Sequence, residues 1–102
     1  MVKHIVMWKL KDFAEGATKA ENARKLKSKL EGLRVVIPEL RVAEVGINFD
    51  DSAAAYDVVL YSEFASVESL RAYQKHPEHR NLISQFLDKV RVDKKVVDYE
   101  VP

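Results

Sequence analysis

The chain has 102 residues and a formal net charge of +1, with 17 Lys and Arg against 16 Asp and Glu and 47 % apolar residues. That length makes one domain, 1–102, and the globular balance of apolar and charged residues excludes wholesale disorder. No cysteine is present, which excludes a disulfide framework, thiol catalysis and Cys-ligated zinc or iron–sulfur sites within this chain. No apolar run approaches the ~20 residues of a membrane helix, and the first residues carry no signal-peptide pattern. A soluble, cytoplasmic protein without a membrane partner is therefore expected. The first third is basic, yet Lys19, Arg24, Lys25, Lys27 and Lys29 fall on the outer face of a helix among acids. No nucleic-acid-binding motif accompanies them, so no nucleic-acid partner is expected.

Residues 2–11 read as the first strand. Side chains alternate across a strand, which puts His4, Val6, Trp8 and Leu10 on one face. Ile5 and Met7 lie between Lys3, Lys9 and Lys11 on the other, so the strand's centre is apolar on both faces. Residues 18–34 read as a helix, with Ala23, Leu26, Leu30 and Leu33 on one stripe. Gly32 weakens its last turn and Pro38 forbids its continuation. A second strand spans 40–49, where Val45, Ile47 and Phe49 alternate with Glu44, Gly46 and Asn48. A turn follows over 50–55. The third strand, 56–64, places Tyr56, Val58, Leu60 and Phe64 on one face and Val59 and Tyr61 on the other. Ser66 is a credible N-cap for a helix running to about residue 74. After a break near His76, Pro77 opens a further helical stretch to residue 90, carrying Leu82, Ile83, Phe86 and Leu87. Residues 96–101 form the last strand.

The order β-α-β-β-α-β is the ferredoxin-like arrangement, an α+β fold with a four-stranded antiparallel sheet. Helices cover one face of such a sheet. The other, bearing Ile5, Met7, Val59 and Tyr61, needs a cover, and a twofold homodimer with its sheets face to face supplies one.

Candidate chemistry rests on three histidines, His4, His76 and His79, and on Tyr73. His79 falls in the first turn of the helix opened by Pro77, where a helix N-terminus favours the neutral imidazole that a general base requires. Tyr73 offers a phenol that donates or accepts a proton, so a Tyr/His pair beside an apolar cavity forms an acid–base constellation. Each residue also has a structural reading: His79 as a local cap, His76 as an N-cap before proline, His4 as a hydrogen-bonded core histidine. The histidines lack a recognised metal-ligand spacing, so no metal is expected. Gly16, Gly32 and Gly46 stand singly, with no P-loop or dinucleotide motif, and no cofactor is expected.

Val2-Lys3-His4-Ile5-Val6, Tyr61-Ser62-Glu63-Phe64, Tyr73-Gln74-Lys75-His76-Pro77-Glu78-His79 and Val97-Asp98-Tyr99-Glu100 together resemble the stress-responsive dimeric A/B barrel (Dabb) family. The resemblance runs from about residue 2 to 101. It implies a ferredoxin-like protomer and a homodimer built as a dimeric α/β barrel. One branch of the family, the plant olivetolic acid cyclases, closes a linear tetraketide by aldol condensation without a cofactor. Its catalytic Tyr and His resemble Tyr73 and His79, and its strand-one pocket histidine resembles His4. Val6, Trp8 and Leu60 would stand on its apolar pocket wall. Leu26 and Leu30 stand where those cyclases carry aromatic residues on the first helix, and Trp8 where they carry leucine, so the cavity differs. The resemblance implies a homodimeric stress-responsive protein binding a small apolar or aromatic ligand between sheet and helices. The alternative is a cofactor-free cyclase or lyase acting through Tyr73 and His79.

Overall fold

Strand β1 (Val2–Leu10) is the axis of the molecule. In the computed structural model, which describes all residues from Met1 to Pro102, it pairs antiparallel with a strand on each side. One neighbour is β5 (Val58–Phe64), itself paired with β4 (Val42–Ile47); the other is β6 (Arg91–Glu100). The sheet order is therefore β4-β5-β1-β6, the ferredoxin-like topology the chain order predicts. Val6 lies opposite Leu60 and Val96, and His4 opposite Ser62 and Asp98. This register settles the faces. His4, Val6, Trp8 and Leu10 are buried beneath the helices, while Met7 is exposed on the open side.

Helix α1 (Lys19–Val36) begins with a capping box. The Glu21 N–H donates to Thr18 Oγ1 at 3.2 Å, and the Thr18 N–H donates to Glu21 Oε1 at 3.0 Å. Ala23, Leu26, Leu30 and Leu33 form its buried stripe, and the helix runs two residues past the expected end, through Gly32, to stop before Pro38. Two of its charged side chains then close the outer edge of the sheet. Lys27 Nζ donates to the Val45 carbonyl at 2.6 Å, and the Val45 N–H donates to Glu31 Oε2 at 3.0 Å. An edge strand whose free backbone groups are taken in this way is a poor template for further pairing.

Helix α2 (Val67–Lys75) is capped by Ser66, whose Oγ accepts the Ser69 N–H at 3.1 Å. His76 ends it and caps α3 (Pro77–Leu82), accepting the Glu78 N–H on Nδ1 at 3.1 Å. The helical path continues through a π-helical stretch, Ile83–Leu87, into a last turn, α4 (Asp88–Val90). No helix is long and apolar enough to cross a membrane.

Four local expectations are corrected. A small hairpin, β2 (Phe13–Ala14) with β3 (Ala17–Thr18), precedes α1 and is tied down by Asn22 Nδ2 donating to the Ala14 carbonyl at 3.0 Å. The second strand is shorter than expected: Ile47 is its last residue, and Phe49 beyond it is 98 % exposed. Tyr56 precedes β5 instead of belonging to it, its hydroxyl donating to Asp93 at 2.8 Å. The last strand starts five residues early, at Arg91, so Lys94 joins the sheet opposite Trp8.

Candidate functional site

Under β6 the helices stand away from the sheet and leave a cavity of about 380 Å³. Its sheet wall is His4, Val6 and Trp8 from β1, Leu60 from β5, and Arg91, Lys94 and Val96 from β6. Its helical wall is Leu30 from α1, Tyr73 and Gln74 from α2, His79 and Arg80 from α3, and Ile83, Leu87 and Asp88 beyond. Ile83 and Leu87 bound the π-helical stretch, where the Asp88 N–H reaches back to the Ile83 carbonyl. Such wide turns re-aim the side chains around them.

Tyr73 and His79 meet on this wall because a single capping residue, His76, separates their helices. Their ring centroids are 4.5 Å apart. The Tyr73 ring is 1 % exposed, and burial alone pushes its phenol well above the ordinary value. Tyr73 thus stays protonated and serves as a donor. Burial, only partly offset by the hydrogen bond to Gln74, holds His79 below the ordinary imidazole value, and the charge of Lys94 acts in the same direction as burial. His79 Nδ1 lies 3.2 Å from the Gln74 carbonyl. A carbonyl only accepts, so Nδ1 carries the proton and Nε2 is left as the basic nitrogen.

His4 stands on the same wall with its ring centroid 6.3 Å from that of Tyr73. Its Nδ1 is hydrogen-bonded to Asp98 Oδ1, directly opposite on β6. The carboxylate orients the imidazole, as it does wherever a histidine must present one chosen nitrogen. Trp8 is 3 % exposed, and its indole N–H has no acceptor in the protein.

Of the residues expected at the site, His4, Val6, Trp8, Leu30, Leu60, Tyr73 and His79 come together around one cavity. Leu26 does not. It is fully buried in the core and absent from the wall, because one turn along α1 only Leu30 reaches the space under β6. His76 stays outside as a cap. Asp98, Arg80, Arg91 and Lys94 are site residues that the sequence did not single out. Asp98 was within reach, since pairing the last strand with the first places an acid opposite His4. No group of three or more His, Cys, Asp or Glu side chains is arranged to hold a metal ion.

The topology defines a ferredoxin-like α+β protein, with a cavity between sheet and helices under the edge strand. The chain belongs to the Stress Responsive A/B Barrel Domain (Dabb) family, whose model matches residues 2–101. It is 28 % identical over 99 residues to a stress-response A/B barrel domain-containing protein of Arabidopsis thaliana, covering 97 % of this chain and 36 % of that protein. It therefore spans about a third of the length of that relative. A dimeric ferredoxin-like protein of unknown function from Bacteroides fragilis is 31 % identical, with a TM-score of 0.81 over 98 % of this chain and 95 % of the other. The hydroxynitrile lyase of Passiflora edulis shares the fold at 18 % identity, with a TM-score of 0.80 over 99 % of this chain and 93 % of that one.

Proposed function

We propose that this protein is a homodimer whose two cavities, one under each β6, each bind a small, largely apolar molecule between sheet and helices. The observation that carries the reading is the cavity itself. A volume of about 380 Å³, walled by apolar side chains with a few convergent polar groups, is the size and character of a small-molecule site. A domain with a purely structural role has no reason to leave such a space unfilled, because voids cost packing energy. Equilibrium dialysis of the full chain against a mixture of short-chain aliphatic and single-ring aromatic compounds, read by mass spectrometry, tests it. Retention of compounds at one per chain is expected. Retention of none would overturn the reading.

The dimer is supported by the open face of the sheet. Ile5, Met7, Val59 and Tyr61 are continuous there with Val97 and Tyr99, since Val97 lies opposite Ile5 and Tyr99 opposite Lys3. Met7, Val97 and Tyr99 are 38 %, 57 % and 42 % exposed in the single chain, which is unusual for a contiguous apolar patch left to water. Ile5→Glu places a charge at its centre, between Tyr61 and Val97, and is expected to convert the dimer to monomer at micromolar concentration in analytical ultracentrifugation. An unchanged sedimentation coefficient would place the interface elsewhere.

A second reading, cofactor-free acid–base catalysis of the lyase or cyclase type, is favoured by the contact between Tyr73 and His79. Nε2 of His79 removes an acidic proton from a C–H beside a carbonyl or from a hydroxyl. The protonated Tyr73 phenol donates to the oxygen on which charge develops. The Dabb fold does not by itself decide between binding and catalysis, since one fold hosts many chemistries. His79→Ala is expected to lower kcat/KM by on the order of 100-fold or more while ligand is still retained. Full turnover in that variant would exclude His79 as the base.

A further inference from the structure

Several polar groups on the cavity wall are donors or cations with no acceptor side chain in the protein. The Trp8 N–H is buried without an acceptor, and the Tyr73 hydroxyl makes no hydrogen bond within the protein. Of the three cations on the wall, Arg91 is paired, its Nε lying 3.2 Å from Asp88 Oδ1. That pairing neutralises the only carboxylate on the wall. Asp98, further along the same face of β6, is engaged by His4. Arg80 and Lys94 remain, and the protein offers neither a counter-ion nor a side-chain hydrogen bond. Both flank His79: Arg80 follows it in the chain, and Lys94 stands close enough to act on its charge.

We infer that the ligand is an amphipathic carboxylate, its charged end held by Arg80 and Lys94 and its apolar body lying against Val6, Leu60 and Ile83. The inference rests on the reading of the cavity as the ligand site and names the ligand's class. A carboxylate is acceptor-only and carries the charge that Arg80 and Lys94, exposed and without a counter-ion, can pair with. Two unbalanced cations beside a low-dielectric cavity favour entry of an anion and strengthen its hydrogen bonds once inside. The Tyr73 hydroxyl, protonated and on the same wall, is a further donor for such a ligand. A neutral apolar occupant would gain nothing from the two exposed cations at the cavity's rim.

Trp8 is the only tryptophan in the chain and stands on the cavity wall, so its fluorescence reports occupancy. The test titrates the full chain with octanoate and with octanamide, in the native protein, in the Arg80→Met/Lys94→Met double variant and in Lys11→Met as an off-site control. Octanoate is expected to bind roughly tenfold or more tightly than octanamide. The double variant is expected to lose about that factor for octanoate alone, with Lys11→Met unchanged. Equal affinity for the two probes, or undiminished octanoate binding in the double variant, overturns the inference and leaves the cavity a neutral-ligand site. Failure of both probes to bind the native protein overturns the ligand-site reading together with it. Displacement of octanoate by an equal concentration of inorganic phosphate would show a general anion site and overturn the amphipathic assignment.

Discussion

The two edges of the sheet are finished in opposite ways. At β4 the chain closes the edge. Helix α1 lies across it, Lys27 and Glu31 take the free backbone groups of Val45, and Leu26 and Val45 are 0 % and 2 % exposed. At β6 the chain leaves the edge open. The helices stand back, Val96 is 45 % exposed, and donors on Trp8 and Tyr73 have no partner in the protein. One edge is capped at Val45 by side chains of α1; the other borders a cavity. Two buried side-chain polar atoms have no partner in the protein, Trp8 Nε1 under this edge and Asn22 Oδ1 beside the β2–β3 hairpin.

That contrast predicts unequal costs for the same substitution. Leu26→Ala, on the closed side, is expected to cost about 3 kcal/mol, since the rigid packing around it cannot collapse. Ile83→Ala, on the open side, is expected to cost about 1 kcal/mol, because its half-buried side chain already borders empty space. Urea denaturation of the two variants measures the difference, and equal losses would remove the distinction between the edges. Tyr73→Phe sharpens it further. The lost hydroxyl bonds nothing within the protein, so stability is expected to stay within about 0.5 kcal/mol, whereas ligand affinity or turnover falls about tenfold. A large loss of stability in that variant would make the hydroxyl structural.

Acidity provides the gentlest probe. The folded-state value of His79 lies below the ordinary 6.5, chiefly through burial. The unfolded chain therefore binds a proton at this residue more readily than the folded one. Its contribution to stability is fully present above pH 6.5 and is lost as pH falls toward the folded value. Proton abstraction by Nε2 needs the neutral ring, so the acid limb of kcat/KM is expected to have its midpoint below 6.5, not at it. Histidine NMR titration of His79 checks the direction directly, and a midpoint at or above 6.5 would contradict the burial described for it.

Much of the fold was legible because its signals are local and periodic. The alternation of Val2 to Leu10 and the leucine stripe of α1 each appear within one element, and Ser66 and Pro77 mark helix starts by their own chemistry. The early start of β6 was not legible, since Val92-Asp93-Lys94-Lys95 on an exposed edge strand carries no apolar alternation. Strands as short as Phe13–Ala14 and Ala17–Thr18 have no period to read. At the site, Leu26 and Leu30 share one stripe, and only the crossing of helix over sheet decides which of them reaches the cavity. The partners of the histidines lie at very different distances. Gln74 is five residues from His79, while Asp98 is 94 residues from His4 and becomes its neighbour only through strand pairing.

Whether the space under β6 is a place for a ligand or a packing defect is tested most directly by Val96→Trp. Val96 lines that space yet is 45 % exposed, so a larger side chain enters the cavity without disturbing the core. The measurement is the rise in Tm that a panel of small carboxylates produces in the native protein and in the variant, since a ligand that binds only the folded state stabilises it. The native protein is expected to be stabilised by members of the panel, and Val96→Trp to be stabilised by none. Equal shifts in the two proteins would place binding elsewhere and contradict a ligand site under β6.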